Sequence, residues 1–504
     1  MAETEKALHG FFSCGALTRK SLKKGAVTSA SLFFIVLFAS AVIATHWTDV
    51  YTYAGSSLQR AISFASRNPT VQPKITYSLN CSTGNNTPTC PPTYPRTYEA
   101  KGSMAETCPK YFRWIHEDLR PWSGQGITLD MAENAKKFAD IRVVVVNGSL
   151  YVEKYRGVFQ TRDVFTIWGI LQLLRLYPGK LPDLDLMIQC GDRPSILKRD
   201  FMGENANKTP PLLHYCGDDD TLDIVFPDWS FWGWPEINIP PWNLLKKELE
   251  EGNRRINWTE REPYAYWKGN IHVSGIRKDL MRCNSNERED WNARIYHLDW
   301  RNEIRKGFKS SKLADQCNYR YKIYVEGIAW SVSEKYILAC DSMSLLIPPH
   351  YYDFFTRSLL PTIHYWPIKT DDKCKSIKYA VDWGNNHTQE AQKIGKAASR
   401  FIEEQLTMKH VYDYMFHLFN EYGKLLRYKP SVPQGAVRMC SETMACNSGG
   451  LEKEFKIGSM VKSPEDRAPC SLPPPYTHHE FQAFTERKAN LTRQVEIWEE
   501  SGKI

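Results

Sequence analysis

The 504-residue chain lacks a glycine-rich nucleotide fingerprint, a Cys-x-x-Cys pair, a basic tail and an evident internal repeat. The first absence removes the simplest signature of dinucleotide binding, and the second argues against a zinc site among the 13 cysteines. The net charge of +8 is spread along a chain that still has 57 acidic residues, so we expect no nucleic-acid partner. A chain of this length forms about two ordinary domains, or one two-lobed enzyme with extensions.

Aromatic residues, by contrast, are abundant. They make up 13% of the chain and include 16 Trp and 26 Tyr. Flat rings with polar edges can hold sugars, and they can equally fill a Trp-rich core. Composition alone leaves both interpretations open.

An uncharged apolar run, GAVTSASLFFIVLFASAVIAT, occupies residues 25–45. About 20 such residues span a bilayer as a helix. Arg19, Lys20, Lys23 and Lys24 precede the run and no basic cluster follows it, so the positive-inside rule predicts a single-pass type II anchor. Residues 1–24 would then be a cytoplasmic tail. A cleaved signal peptide is the alternative, although the run exceeds the roughly 7 to 15 apolar residues usual there.

Two further features indicate a lumenal chain. Twelve of the cysteines follow the predicted anchor, an even number that permits disulfides. N-glycosylation sequons begin at seven asparagines: Asn80, Asn85, Asn147, Asn207, Asn257, Asn386 and Asn490. The chain also ends without a KDEL-like signal, which together with the anchor favours a Golgi membrane over the endoplasmic reticulum.

The pattern after the anchor divides into a stem and a folded region. Residues 46–97 contain Ser-, Thr- and Pro-rich runs typical of a stem. Asn147-Gly148 between two β-rich runs predicts a hairpin, residues 161–177 have helical periodicity, and LPDLDLMIQCGD predicts a buried strand with an acid at its exit. Alternating strands and helices continue to about residue 428, and the Pro-punctuated segment 429–504 is expected to be a peripheral extension.

The stretch CNYRYKIYVEGIAWSVSEKYILAC begins at Cys317. Its first part alternates like a strand, with Tyr321 and Ile323 on one face, and Glu326-Gly327 then ends it. The run that follows can form about three helical turns, capped by Ser331 or Ser333. The free amides of such a helix start can bind a diphosphate, but an ordinary strand-to-helix turn would look the same.

Five ordered blocks in this sequence resemble glycosyltransferase family 90, the capsule-associated-protein domain that includes the Rumi-like protein O-glucosyltransferases. The fourth block, with the runs CNYRYK, EG, AWS and KY, shows the resemblance most clearly. In the second block, Trp-Gly-Trp-Pro-Glu resembles the plant-type branch. In chain order, the blocks are Met187–Ser195, Phe226–Trp242, Tyr264–Asn270, Cys317–Ser342 and Asp353–Asp371.

The resemblance implies an α/β fold of the GT-B type. Two Rossmann-like lobes would face a cleft, an acceptor-side lobe at 98–260 and a nucleotide-sugar-binding lobe at 261–428. Such enzymes generally need no metal and no cofactor beyond the donor substrate. The sequence does contain one DxD, Asp183-Leu184-Asp185, but it lies at the start of a predicted buried strand, so we do not expect it to bind a metal.

The resemblance also assigns roles by position. Asp192 matches the family's proposed catalytic base, which suits a carboxylate at a strand exit, whereas a loop Asp that caps its own turn is the alternative. Arg277 matches an Arg that neutralises the diphosphate, and a solvated surface charge is its alternative. Further donor contacts are expected at Asn270, Lys268, Ile328, Ala329, Trp330, Ser331, Val332 and Ser333. Trp229 and Glu236 would contact the acceptor or sugar, or pack in the core.

The sequence departs from the Rumi-like members at two places. Ser333 stands where they have Arg, and their Glu-Arg-Asp triplet is here Ile276-Arg277-Lys278. One phosphate-binding charge is therefore missing, and Lys268 is a candidate to replace it. For this reason the donor sugar cannot be copied from those members.

These observations predict a membrane-anchored lumenal glycosyltransferase. It would move glucose or xylose from a UDP-sugar to a hydroxyl of a glycan or glycoprotein, with an Asp general base. The alternative is a non-catalytic, membrane-anchored carbohydrate-binding or scaffold protein with the same fold. Retention of Asp192 and Arg277 argues against that alternative. A glycoside hydrolase would need two opposed carboxylates, of which the sequence indicates one.

Overall fold

The computed structural model describes residues 75–81, 90, 98 and 106–502. The predicted tail at 1–24, the predicted anchor at 25–45 and most of the predicted stem at 46–97 lie outside these residues. Within the described ranges, no helix is both long and apolar enough to cross a membrane.

The described residues form two β-sheets. Their strands are β1 Ile141–Val146, β2 Ser149–Lys154, β3 Leu184–Ile188, β4 Leu212–His214, β5 Ile224–Val225, β6 Glu262–Gly269, β7 Ala293–His297, β8 Tyr319–Tyr324, β9 Met343–Leu346, β10 Trp366–Pro367 and β11 Val437–Met439.

Helices alternate with these strands along the chain. In chain order they are α1 Trp114–Asp118, α2 Leu129–Ala135, α3 Arg162–Leu176, α4 Trp242–Arg255, α5 Gly275–Leu280, α6 Trp300–Arg305, α7 Glu334–Ala339, α8 Lys373–Asn386, α9 Thr388–Arg400, α10 Met408–Leu425, α11 Ser441–Ala445, α12 Gly450–Gly458 and α13 His478–Glu500. A π-helical turn, Phe401–Gln405, joins α9 to α10.

The first sheet has the strand order β11-β2-β1-β3-β4-β5. Strand β1 pairs antiparallel with β2 and β3, whereas β3, β4 and β5 run parallel. Asn147 and Gly148 both have positive φ, 50° and 71°, which is the geometry of a tight type I′ hairpin turn. The predicted hairpin is confirmed, as are the helix α3 and the buried strand β3.

The second sheet has the order β10-β9-β8-β6-β7, and all neighbouring strands are parallel. Its central strand β8 confirms the predicted strand but not its predicted alternation: Tyr321, Lys322, Ile323 and Tyr324 are all buried. A central strand of a parallel sheet is covered on both faces, so residues of both faces are buried. The fold is therefore mixed α/β with two sheets.

The predicted three-turn helix after β8 is wrong, because α7 is only six residues long and begins at Glu334. Residues 327–333 form a loop instead. The Ser331 amide donates to the Tyr324 hydroxyl at 3.2 Å, and the Ser331 hydroxyl lies 2.9 Å from that of Ser333. Ser333 precedes the helix, but its side chain makes no capping hydrogen bond. These contacts hold the loop in place of an additional helical turn.

Disulfides join ten of the twelve cysteines beyond the predicted anchor, in the pairs Cys81–Cys446, Cys90–Cys440, Cys108–Cys470, Cys283–Cys374 and Cys317–Cys340. Cys190 and Cys216 are buried and free.

The segment 429–504, which we expected to be peripheral, is joined to the rest of the fold. Strand β11 extends the first sheet by pairing with β2. In α13, Phe481 and Phe484 pack against the hydrophobic core of the first sheet, and Trp498 packs against that of the second. The segment therefore contributes to both cores.

Candidate functional site

Arg277 lies at the carboxyl end of β8, where we expected the donor diphosphate. It is carried by α5, whose first turn Ser274 caps by accepting from the Arg277 amide at 3.4 Å. The guanidinium Nε donates to the Glu326 carbonyl at 2.8 Å, and Nη2 donates to Ser331 Oγ at 3.1 Å. Nη1 donates to the Asn270 carbonyl at 3.4 Å. Arg277 therefore connects the ends of β6 and β8 with the loop before α7.

The Arg277 guanidinium donates hydrogen bonds to neutral oxygen atoms and has no anionic partner among the described residues. Its hydrogen-bond partners are carbonyl and hydroxyl oxygens, and no carboxylate of the described residues lies within ion-pair distance. Burial lowers the pKa of Arg277 to about 10, which leaves it charged at neutral pH. A partly buried cation without an anionic partner favours an anionic ligand.

The loop before α7 contains the expected donor contacts Ile328, Ala329, Trp330, Ser331, Val332 and Ser333. Ile328 is exposed, whereas Ala329, Trp330 and Ser331 are buried. Gly327 precedes the loop, and its amide donates to the Ala329 carbonyl at 2.9 Å. The structure thus brings Arg277 and the two serine hydroxyls together.

Asp192 lies on the loop that follows β3. Its side chain is 38% exposed, and Oδ1 is 3.2 Å from Arg162 Nη1. Arg162 is buried at the start of α3, with its guanidinium carbon 4.5 Å from the centre of the Trp229 ring. Sequence reasoning missed Arg162, because nothing in the sequence links it to an aspartate thirty residues later on another loop. The ion pair fixes the carboxylate while leaving it open to solvent.

The Asp192 loop and the donor loop touch each other. Arg193, next to Asp192, donates from Nε to the Ile328 carbonyl at 3.4 Å. Trp330 packs against Tyr215 and Trp229, with ring centres 5.8 and 6.2 Å apart. The predicted base and the predicted donor loop therefore lie in one neighbourhood.

A buried ion pair also joins these two parts of the chain. Lys335 Nζ lies 3.3 Å from Asp228 Oδ2 and donates to Ser230 Oγ at 2.8 Å and to the Val332 carbonyl at 3.2 Å. Lys335 lies in α7, just after the donor loop, and Asp228 lies in the second sequence block, Phe226–Trp242. Both residues stand in blocks that carry the resemblance, but the sequence did not show that they form a pair.

Two other predicted contacts lie at the margin of this neighbourhood. Trp229 is 1% exposed, so Arg162 and Trp330 rather than solvent cover its ring. Glu236 accepts from the Thr161 hydroxyl at 3.0 Å, beside Arg162. Core packing is therefore the role that the structure supports for Trp229.

Lys268 does not join Arg277. Its ammonium donates to the Ser310 carbonyl and lines an open cleft together with Tyr266. Arg277 instead stacks over Trp267, the neighbouring residue on β6, whose side chain points to the opposite face of the sheet. Lys268 and Arg277 are thus on opposite faces of the sheet, and the role of Lys268 as a replacement for the charge that the sequence lacks at Ser333 stays a prediction.

Two groups with the composition of a metal site are otherwise engaged. Asp185 accepts two hydrogen bonds from Arg142, at 2.7 and 2.6 Å, and Asp183 accepts from the Asn147 amide at 2.8 Å. Cys108, His417 and Cys470 lie within reach of one another, but the two cysteines form a disulfide. Neither group fits a cation as it stands.

Six of the predicted glycosylation sites lie at described positions, and their side chains are exposed: Asn80, Asn147, Asn207, Asn257, Asn386 and Asn490. Asn85 lies outside the described residues.

Comparison with known proteins identifies the family of the chain. The model of the family described as "Glycosyl transferase family 90" matches residues 103–499. The chain is 26% identical over 330 residues to the O-glucosyltransferase rumi homolog of Aedes aegypti, covering 62% of this chain and 78% of that protein. It is 24% identical over 347 residues to Protein O-glucosyltransferase 1 of Homo sapiens, covering 66% and 84%.

The protein is thus a glycosyltransferase. More narrowly, it belongs to glycosyl transferase family 90, as the five sequence blocks predicted.

Proposed function

We propose that the protein transfers glucose or xylose from a UDP-sugar to a hydroxyl group of a glycan or glycoprotein. The observation that carries this proposal is Arg277, a cation held among neutral acceptors at the carboxyl end of a parallel sheet. Ligands of α/β proteins bind at that edge, and a diphosphate supplies the missing anion. The names of the relatives, which are O-glucosyltransferases, support a sugar donor and a hydroxyl acceptor.

In the proposed reaction, Asp192 accepts the proton of the acceptor hydroxyl as its oxygen attacks the anomeric carbon of the sugar. The bond from that carbon to the diphosphate breaks, and UDP leaves. Arg277 stabilises the negative charge on the departing diphosphate, with the hydroxyls of Ser331 and Ser333 beside it. A single displacement of this kind inverts the configuration at the anomeric carbon.

The proposal includes the GT-B arrangement, with an acceptor-side lobe at 98–260 and a donor lobe at 261–428. It also includes chemistry without a metal, since both carboxylates of the DxD are already engaged by Arg142 and by a backbone amide. The setting we propose is the Golgi lumen, with the run at 25–45 as a membrane anchor. Five disulfides and exposed sequons support an oxidising lumen.

The test uses the full-length chain, purified in detergent and incubated with a panel of UDP-sugars and candidate acceptors. We expect release of UDP with one sugar and undiminished transfer after a chelator is added. Asp192→Asn should lower kcat by about 10²- to 10⁴-fold, the usual contribution of general base catalysis. The matched control, Asp200→Asn, changes an exposed carboxylate on the same segment and should have no effect.

Equal activity of Asp192→Asn and the wild type would exclude Asp192 as the base. A strict metal requirement would exclude the metal-free mechanism. Binding of sugars without UDP release from any donor would favour a non-catalytic role.

A further inference from the structure

Three tyrosines line an open cleft on the second sheet, away from the site described above. Tyr319, Tyr266 and Tyr296 stand on the neighbouring strands β8, β6 and β7. The ring centres of Tyr266 and Tyr319 are 4.3 Å apart and stacked, and those of Tyr266 and Tyr296 are 5.6 Å apart. The cleft, which we call the tyrosine cleft, has a volume of about 430 Å³.

The tyrosine cleft lies on the sheet face opposite to Arg277. Arg277 stacks over Trp267, whereas Tyr266 and Lys268, its neighbours on β6, line the cleft. Parallel sheets are normally covered on both faces. Here the Tyr296 side chain is 45% exposed, so part of this face has no protein cover.

The rim of the cleft carries the groups that bind sugar hydroxyls. Three carboxylates, one amide and one ammonium line it, contributed by Glu260, Glu262, Asp315, Asn318 and Lys268. Carboxylate and amide oxygens accept hydrogen bonds from hydroxyl groups, and the ammonium donates to them. The stacked rings provide flat apolar surface for the carbon–hydrogen face of a pyranose. Flat rings surrounded by a few polar groups fit a saccharide better than an apolar ligand.

A source of saccharide lies directly at this rim. Asn257 begins the sequon Asn-Trp-Thr, and its side chain is exposed. Its Nδ2 donates to Glu260 Oε2 at 3.3 Å, and both Glu260 and the preceding Ile256 line the cleft. Trp258, the next residue, is buried and anchors the segment. The first sugar on Asn257 therefore starts beside the tyrosine cleft.

We propose that the tyrosine cleft is the docking site of the N-linked glycan on Asn257. This inference rests only on the lumenal location in the proposed function. In glycosylation, the Asn257 amide nitrogen loses a proton and bonds to C1 of an oligosaccharide, whose lipid diphosphate leaves. The attached sugars then lie over Tyr266 and Tyr319 and cover the open face of the sheet. The glycan acts as a structural part of the sheet rather than as a solvated surface chain.

The experiment uses the full chain produced in glycosylating cells. Glycopeptide mass spectrometry first measures occupancy at each sequon, and the folded protein is then treated with peptide-N-glycosidase. We expect the Asn257 glycan to be removed about tenfold more slowly than that on Asn147, because docking favoured tenfold lowers the cleavable fraction by that factor. Tyr296→Ala should abolish this protection. Met202→Ala, an exposed apolar side chain near Asn207, is the matched control and should not change it.

A second readout follows the cleft itself. Nitration of Tyr296 by tetranitromethane should be slow in the wild type and faster in Thr259→Ala, which removes the sequon without changing Asn257. Equal nitration of the two proteins would overturn the proposal, and so would equally fast removal of the Asn257 and Asn147 glycans. An unoccupied Asn257 beside other occupied sequons would overturn docking alone. If every sequon were unoccupied, the lumenal location itself would fail.

Discussion

At the scale of single residues, Arg277 makes the sharpest prediction about the donor. Its guanidinium nitrogens donate to carbonyls that follow β6 and β8 and to the Ser331 hydroxyl. A lysine ammonium cannot make this set of hydrogen bonds. We expect Arg277→Lys to raise KM for the UDP-sugar and to lower kcat/KM by roughly 10- to 100-fold, since a hydrogen bond to a charged group contributes about 1.5–3 kcal/mol. Initial rates and calorimetric binding of UDP measure both effects.

The matched control is Arg294→Lys. Arg294 lies on β7 and forms its ion pair with Asp290 at 2.9 Å. It should leave the donor KM unchanged. Unaltered UDP binding in a folded Arg277→Lys protein would show that Arg277 has a structural role only.

Lys322 makes a prediction about stability. It is buried in β8 beside the Sγ of Cys340 at 3.4 Å, and burial lowers its pKa from 10.5 to about 7. Between these values the unfolded chain binds more protons than the folded one, so the free energy of unfolding should rise with pH from about 7 to 10.5. Lys322→Met should remove this part of the pH dependence and raise stability near pH 7.

Urea unfolding of the full chain at pH 7 and pH 9 measures the effect. Lys309→Met, at an exposed position, should retain the slope of the wild type. An identical slope in Lys322→Met would mean that Lys322 is charged in the folded protein at both pH values.

At the scale of elements, the loop after β3 is fixed by Asp223, the residue just before β5. Asp223 accepts from the Ser195 amide at 3.0 Å and from the Ile196 amide at 2.8 Å, just beyond Asp192. Burial raises the pKa of Asp223 to about 7. Asp223 is therefore a positioning residue for the proposed base.

We expect Asp223→Ala to lower kcat by roughly 10- to 100-fold with little change in the donor KM, because a small misplacement of a reacting group is costly. Asp223→Asn, which keeps one acceptor oxygen, should restore part of the rate. The control is Asp220→Ala, an exposed side chain on the same turn. Parallel loss of kcat and of UDP binding would show general unfolding of the site instead.

The same elements show what the sequence could predict. The hairpin at Asn147, the helix α3 and the strands β3 and β8 follow from local turn chemistry and periodicity, and all are confirmed. The start of α7 could not be predicted. The Ser331 amide donates a hydrogen bond to the Tyr324 hydroxyl, and this contact forms only in the folded chain.

The site shows the same division. The resemblance located Asp192 and Arg277 by position. It did not reveal the ion pair of Arg162 with Asp192 or that of Lys335 with Asp228, because each joins residues that lie on separate segments of the chain. Such pairs depend on how separate segments pack together, and periodicity within one segment carries no information about that packing.

At the scale of the whole molecule, three disulfides connect the beginning of the described chain with its end. Cys81–Cys446, Cys90–Cys440 and Cys108–Cys470 have sequence separations of 365, 350 and 362 residues. Each pair alone closes most of the chain into a loop. Because the cysteines of the three pairs are close in sequence at both ends, any one pair closes only a short loop, of roughly fifty residues or fewer, while the other two remain intact.

This shared loop predicts strongly non-additive stabilities. Replacing one of the three pairs by serines should cost within about 1 kcal/mol of replacing Cys317–Cys340, the control pair with a separation of 23 residues. The last of the three pairs to be removed opens a loop of more than 300 residues, whose closure differs from that of the control loop by about 2 kcal/mol in chain entropy. Removing all three should therefore destabilise the chain by more than the sum of the single losses. Denaturant unfolding of the single, double and triple variants without reductant measures this excess. Strictly additive losses of unfolding free energy would mean that each disulfide acts independently on the folded state. The three would then not act together on the unfolded chain.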